Sequence, residues 1–209
     1  QHLAMSNTNW NEIPFVRYAD DAVCHCQSYE QAKQLLDSLA ERFKACGLRL
    51  HSDKTRIVYC KGGQRTGDYP ETSFDFLGYT FRPRPTRTRQ GTLFIGFNPA
   101  VSRKSLKAMN AKIRSWRLYT RIQHSLESLA AAINPVVRGW IAYYGRFNHA
   151  ELFSLFATLE RRLARWARWK YKRLRRNNRR CWAFLSKMRE RSPRLFAHWQ
   201  ALYTGRMTQ

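Results

Sequence analysis

Charge is distributed so unevenly along this chain that it limits which folds are open to it. Residues 1–100 hold 13 Lys and Arg against 10 Asp and Glu, a net of +3, while residues 101–209 hold 25 against 4, a net of +21. A segment with that balance cannot neutralise itself through internal ion pairs. Like charges one helical turn apart destabilise a helix. Each helix there must therefore bury one apolar face and keep a separate cationic face outside. The asymmetry divides the chain near Asn98-Pro99 and directs the second part at a polyanion. Nucleic acid is the first reading, because every neutralised phosphate releases counterions. An anionic membrane surface is the rival. Many basic proteins share this balance, so charge alone names no function.

The remaining composition narrows the class. With 209 residues, 44% apolar and 14% aromatic, the chain can bury a core and is no disordered tail. No membrane span is expected, since the best candidate, Leu126 to Tyr144, contains Glu127, Asn134, Pro135 and Arg138. Five cysteines without a Cys-x-x-Cys pair argue against a zinc knuckle and fit a reducing, cytoplasmic compartment. Cys24 and Cys26 flank His25. On a strand the two cysteines share one side and the histidine takes the other, so core packing is expected for them. The first residue is Gln1 and no apolar signal core follows, so the chain is expected to begin inside a longer gene product.

The pattern of apolar residues gives an α+β first part. Ile13 to Val16 and Ala22 to Cys26 are short β-prone runs around Tyr18-Ala19-Asp20-Asp21, which predicts a hairpin with two carboxylates at its tip. Ser28 and Gln31 form a capping box for a helix whose apolar positions are Ala32, Leu35, Leu36, Leu39, Ala40 and Phe43, ended by Gly47. Leu48 to Leu50 and Thr55 to Cys60 read as extended segments. Phe74 to Phe81 and Thr92 to Phe97 read as strands split by a basic linker, Arg82 to Arg89.

The second part reads as all helix. Ser102 caps one segment, and Ser125 with Ser128 opens another that Pro135 should interrupt. Glu151 to about Arg176 reads as one long helix. Leu152, Leu155, Phe156, Leu159, Leu163 and Trp166 form its apolar stripe, and arginines crowd the rest. Two shorter helices follow, broken at Ser192-Pro193. Trp140, Tyr143 and Tyr144 are expected mainly in the core. Trp169 and Tyr171 are the better candidates for stacking on unpaired bases.

An Asp-Asp pair by itself is most often a polar turn. Its context here is Phe15-Val16-Arg17-Tyr18-Ala19-Asp20-Asp21-Ala22-Val23, which resembles the active-site hairpin of reverse transcriptases. Two further blocks follow in the order of that family. Gly47-Leu48-Arg49-Leu50-His51-Ser52-Asp53-Lys54-Thr55 and Phe74-Asp75-Phe76-Leu77-Gly78-Tyr79-Thr80-Phe81 resemble those of the group II intron-type enzymes. Val136-Val137-Arg138-Gly139-Trp140-Ile141-Ala142-Tyr143-Tyr144-Gly145-Arg146-Phe147 resembles their maturase-specific region, and Pro193 to Trp199 resembles the ends of bacterial members.

The resemblance implies a fold and a set of roles. Residues 1–98 would be the C-terminal part of a polymerase palm, 99–148 a helical thumb and maturase region, and 149–209 a basic helical extension. Asp20 and Asp21 would be the catalytic carboxylates and the ligands of Mg²⁺, with Mn²⁺ able to substitute. Paired metals ~3.5–4 Å apart clamp the attacking and leaving oxygens of a phosphoryl transfer, and Mg²⁺ needs few carboxylates. Tyr18, Ala19, Lys54, Leu77, Gly78 and Tyr79 would contact primer or template. Arg161, Arg162, Arg165, Arg168, Trp169, Lys172, Arg175 and Arg176 would bind RNA. The implied partners are group II intron RNA, and an RNA template with a DNA primer in the complete enzyme. No membrane partner is implied, and a homodimer is compatible with the family.

Two departures from the family pattern set expectations. The family's third carboxylate and its fingers lie upstream of the matching region, and Glu12 is too close to the hairpin to replace that carboxylate. The chain alone is thus expected not to polymerise DNA. It would act either as part of a completed enzyme or as an RNA-binding maturase module without polymerase chemistry. A C-terminal endonuclease with paired cysteines and histidines is not expected either, since only Cys181 follows residue 60.

Overall fold

The computed structural model describes residues 13–204 except 64, 66, 89, 149 and 176, with side chains to Ala201. It is an α+β structure in which five strands form two antiparallel sheets and six α-helices follow or flank them. Strands β1 (Phe15–Tyr18) and β2 (Asp21–Cys24) make a hairpin with Tyr18 opposite Asp21. Helix α1 (Tyr29–Ala45) starts at Ser28, whose hydroxyl accepts from the Gln31 amide at 3.1 Å, while the Gln31 side chain accepts from the Gln27 amide at 2.7 Å. Its end is a Schellman turn. Gly47 takes φ +71°, its amide donates to the Lys44 carbonyl, and the Leu48 amide donates to the Phe43 carbonyl.

The next stretch differs from the sequence reading. Leu48 to Leu50 and Thr55 to Cys60 form no strands. One amide in that stretch, Tyr59 to the Glu71 carbonyl, makes a bond of the kind a ladder would repeat. Phe74 to Phe81 is not a single strand. It folds back as β3 (Phe74–Phe76) and β4 (Tyr79–Arg87) around Leu77 and Gly78, both left-handed at φ +49° and +79°. The basic run read as a linker is the body of β4, paired along its length with β5 (Leu93–Val101). Pro83 and Pro85 fit because β3 reaches only as far as Phe81, which leaves their stretch of β4 an open edge where a missing N–H costs little. β5 runs through Asn98 and Pro99. Cys24 is exposed and Cys26 half-buried, so the two do not form the core packing expected of them.

The caps of the second part lie where the sequence put them. The Ser102 hydroxyl accepts from the Ser105 amide at α2 (Arg103–Ser115), and the Ser125 hydroxyl accepts from the Ser128 amide at α3 (Leu126–Tyr144). Pro135 does not interrupt α3. It sits on the exposed face, where water can reach the carbonyl one turn back, while its neighbour Asn134 is buried. The Asn134 amide group donates to the Leu195 carbonyl at 2.8 Å and accepts from the Ala197 amide at 2.9 Å, which fixes α3 to the start of α6 (Ala197–Thr204).

Helix α4 (Ala150–Lys170) is the centre of this part, touching α2, α5 (Asn178–Arg191) and β5. Its stripe of Leu152, Leu155, Phe156, Leu159, Leu163 and Trp166 is fully buried, against Ile113, Leu185 and Trp199 among others. It ends at Lys170, short of the expected Arg176. The Lys170 ammonium donates to the carbonyls of Ile122 and His124 (2.9 and 2.8 Å), and Tyr171 turns extended to pack its ring on Trp166 and Phe184. No described helix is long and apolar enough to cross a membrane.

One acid lies inside this core. Glu160 is buried on α4 and accepts from His198 Nε2 at 2.7 Å, from the Trp199 indole, and from Arg189 Nη2 at 2.7 Å. Burial pushes its carboxyl up, but these donors outweigh burial and hold it below the ordinary carboxylate range. Burial likewise lowers His198, against the pull of Glu160, so its neutral ring donates through Nε2. A lowered histidine favours the fold above its unfolded value and loses that advantage as pH falls. Stability should therefore decline as pH drops below 6.5, where the unfolded histidine gains its proton first, and again below 4.5 as Glu160 is titrated. Thermal melts from pH 8 to 4 check this. A midpoint that holds steady from pH 7 to 5 contradicts it, and His198→Gln should flatten the upper part of the decline.

Candidate nucleic-acid interface

The carboxylates stand at the tip of the β1–β2 hairpin. Its two-residue turn is Ala19-Asp20, and Asp21 opens β2. Ala19 is left-handed at φ +53°, the conformation such turns demand of their first residue. A side chain there costs about 1–2 kcal/mol. The Arg17 guanidinium steadies the turn by donating to the Ala19 carbonyl at 3.0 Å. Asp20, Asp21 and Tyr18 are all exposed, Tyr18 at 63%. Among the described residues neither carboxylate has an ion-pair partner, and the turn residue beside them is small.

The tip lies beside a junction built by two sequence blocks far apart in the chain. The Leu77-Gly78 turn meets the C-terminal end of α3. The Tyr143 hydroxyl donates to the Leu77 carbonyl at 2.8 Å, and the Tyr79 hydroxyl donates back to the Tyr143 carbonyl. The Gly78 carbonyl accepts from the Ser102 amide (2.9 Å) and the Ser105 hydroxyl (3.0 Å). Tyr79 is 7% exposed beneath Tyr143, Tyr144 and Phe147. Burial raises the phenols of Tyr79 and Tyr143, and the Tyr144 phenol adds to both. Tyr18 of the hairpin tip adds, least of the causes, to the rise of Tyr143. Tyr143 is exposed, against the expectation of a core residue, because its ring faces the turn rather than the helical core.

The residues expected to contact primer or template thus divide. Tyr18, Ala19, Leu77 and Gly78 lie on the tip and turn. Tyr79 is buried and holds the junction. Lys54 is exposed on a separate turn closed by the His51 carbonyl, which accepts from the amides of Lys54 and Thr55. Among the described residues no three His, Cys, Asp or Glu side chains gather as a metal site. Asp20 and Asp21 supply two oxygen-bearing groups and no closed set of ligands.

The cationic surface is on α4. Arg161, Arg165 and Arg168 share one ridge and are exposed, Arg162 and Trp169 lie to its side, and no carboxylate pairs with any of these arginines among the described residues. The Arg161 guanidinium donates to the Thr158 hydroxyl at 2.8 Å, and Arg165 lies 4.7 Å above the Tyr119 ring. Lys172 and Arg175 are exposed beyond the helix end, on a 3-10 turn and the residue after it, so they do not continue the ridge. Arg176 lies outside the described residues. Two shallow clefts adjoin the ridge. One is lined by Thr158, Arg161, Arg162 and Arg165, and the other brings in Asn178 and Trp182 from α5. Sequence reasoning missed Trp182 and Tyr119, since their approach to the arginines depends on how helices pack.

Comparison with known families gives two matches on successive parts of the chain. Residues 1–81 match the model of the reverse transcriptase (RNA-dependent DNA polymerase) family. Residues 106–182 match the group II intron, maturase-specific domain. No curated protein matches the chain.

The junction depends on Gly78. A Cβ there would stand 2.8 Å from the Tyr144 hydroxyl and 2.9 Å from the Ser105 hydroxyl, at a φ that side chains resist. Gly78→Ala should cost about 1–3 kcal/mol. Chemical denaturation of the two proteins measures it, and a loss below about 0.5 kcal/mol would show that the turn adapts freely.

Proposed function

The chain belongs to the group II intron-encoded reverse transcriptase and maturase family, and from that premise we propose that its helical part binds group II intron RNA and favours the RNA's splicing-competent fold. The observation that carries this reading is the ridge of Arg161, Arg165 and Arg168, which has no carboxylate partner among the described residues. Guanidinium groups offer phosphates paired N–H donors, and the cost of crowding them falls once anions lie between. In this reading residues 1–98 serve as the palm side of the protein, 99–148 as the thumb and maturase region, and 149–209 as a basic extension that adds to the RNA grip. This role needs no chemistry from the protein, since in this family the intron RNA performs the splicing steps.

A second role belongs to the hairpin tip, within a complete polymerase palm. Asp20 and Asp21 would hold Mg²⁺ together with a further protein carboxylate and nucleotide phosphates, and the metal would supply charge neutralisation at the phosphate undergoing transfer. Tyr18, Ala19 and the Leu77-Gly78 turn would seat the primer end beside the carboxylates. Tyr143, bonded to that turn, would keep it in place.

The two roles separate by experiment. The chain should bind its neighbouring intron RNA ~100-fold more tightly than an unrelated structured RNA of equal length, a difference of about 2.7 kcal/mol, and the preference should survive higher salt. Equal affinities that collapse together with salt would refute the maturase reading. Joined to an upstream fingers-and-palm half, the chain should support Mg²⁺-dependent DNA synthesis that Asp20→Ala with Asp21→Ala abolishes. The same pair should leave intron RNA binding within about twofold. An equal fall in both activities would show that the division of labour is wrong.

A further inference from the structure

The cleft between α4 and α5 is lined by Arg161, Ala164, Arg165, Arg168, Asn178 and Trp182. Its two walls differ in chemistry. The α4 wall carries three guanidinium groups at i, i+4 and i+7. The α5 wall presents an indole that is 36% exposed and packs on no other aromatic ring among the described residues. Between them Ala164, a small buried residue, leaves the floor of the cleft open. Two of the arginines are already held by neutral groups, Arg161 by the Thr158 hydroxyl and Arg165 by the face of Tyr119. Ordering them on binding therefore costs less than ordering free side chains.

Building on the reading that the helical part binds RNA, we propose that this cleft receives an unpaired nucleotide, its base stacked on Trp182 and its flanking phosphates held by Arg161, Arg165 and Arg168. A base inside a duplex has both faces covered by its neighbours and cannot offer one to an indole, whereas a bulged or looped base can. Three adjacent arginines beside an aromatic platform match the alternation of phosphate and base along a single strand. Trp169 is more exposed, at 51%, and lies to the side of the ridge, but it does not line the cleft. The stacking platform is accordingly Trp182, not the tryptophan that the sequence singles out.

The test uses the full chain and two labelled RNA hairpins of equal length, one fully paired and one with a short purine bulge. Trp182→Ala should weaken binding to the bulged RNA about tenfold and to the paired RNA by less than about twofold. Trp182→Phe should restore most of the loss, while Trp182→Leu, apolar but without a π face, should not. Trp169→Ala should leave the difference between the RNAs intact. Arg165→Gln should weaken both and make binding less steeply dependent on salt. The proposal is overturned if Trp182→Ala binds the bulged RNA as well as the parent does, if it loses the same factor on both RNAs, or if Trp182→Leu matches Trp182→Phe. Should the alanine variant fail to fold, the comparison of Phe with Leu decides. Loss of preference for intron RNA would refute the maturase reading alone, and an unchanged Trp182 variant would refute the cleft alone.

Discussion

A carboxylate buried inside a strongly basic protein is costly unless its charge is met at once by well-placed donors. Glu160 satisfies that condition with three partners drawn from two other helices, Arg189 on α5 and His198 and Trp199 on α6. The consequence is geometric. Apolar faces could slide past one another at modest cost, but a buried ion pair with fixed hydrogen bonds admits one arrangement. Since Glu160 and the ridge of Arg161, Arg165 and Arg168 belong to the same helix, docking α5 on the inner side of α4 also sets how far Trp182 stands from the outer side. The cleft is thus held from behind by the one acid in the core. Removing a single member of such a pair typically costs about 3–5 kcal/mol, because it leaves the other charge buried and uncompensated.

The junction at Leu77-Gly78 plays the corresponding part for the hairpin tip. Two left-handed residues in succession allow β3 to fold back tightly on β4, and the carbonyls of that turn then accept from Tyr143, Ser102 and Ser105. Every one of those donors lies on or at the cap of a helix of the second part. The turn is therefore tied to α2 and to the end of α3 as well as closed by its own strands.

Much of the scaffold was legible because its signals are local. Ser28, Ser102 and Ser125 cap helices through bonds to residues three positions on, and the stripe from Leu152 to Trp166 repeats at helical spacing, so a short window of sequence contains the whole interaction. The misreadings share the opposite character. Leu77 looks like a strand residue, but the two-residue turn that pairs Phe76 with Tyr79 gives it a left-handed conformation. The Arg-Pro run from Arg82 to Arg87 looks like a linker because prolines break ladders, yet an edge strand tolerates them. Lys170 ends α4 without Gly or Pro, through carbonyls some 46 to 48 residues earlier. The arginine ridge of the candidate interface was readable as a pattern on α4. Trp182 was not, since nothing in its neighbourhood shows that α5 will pack beside that ridge.

The acids of the second part explain why its surface stays so positive. Residues 101–209 contain four of them. Glu127 sits in the first turn of α3, where its own amide and the Ser125 hydroxyl hold it below the ordinary range. Glu151 pairs with Arg84 of β4 at 3.5 Å, and Glu160 is enclosed in the core. Glu190 is exposed, and no cation pairs with it among the described residues. Three of four negative charges are thus committed to helix termini, sheet contacts or the interior, and the outer arginines are left to an external anion. Had the chain needed only solubility, acids interspersed on α4 would have relieved the repulsion at no cost to packing. None of the four stands on the outer face of α4, where the arginines are.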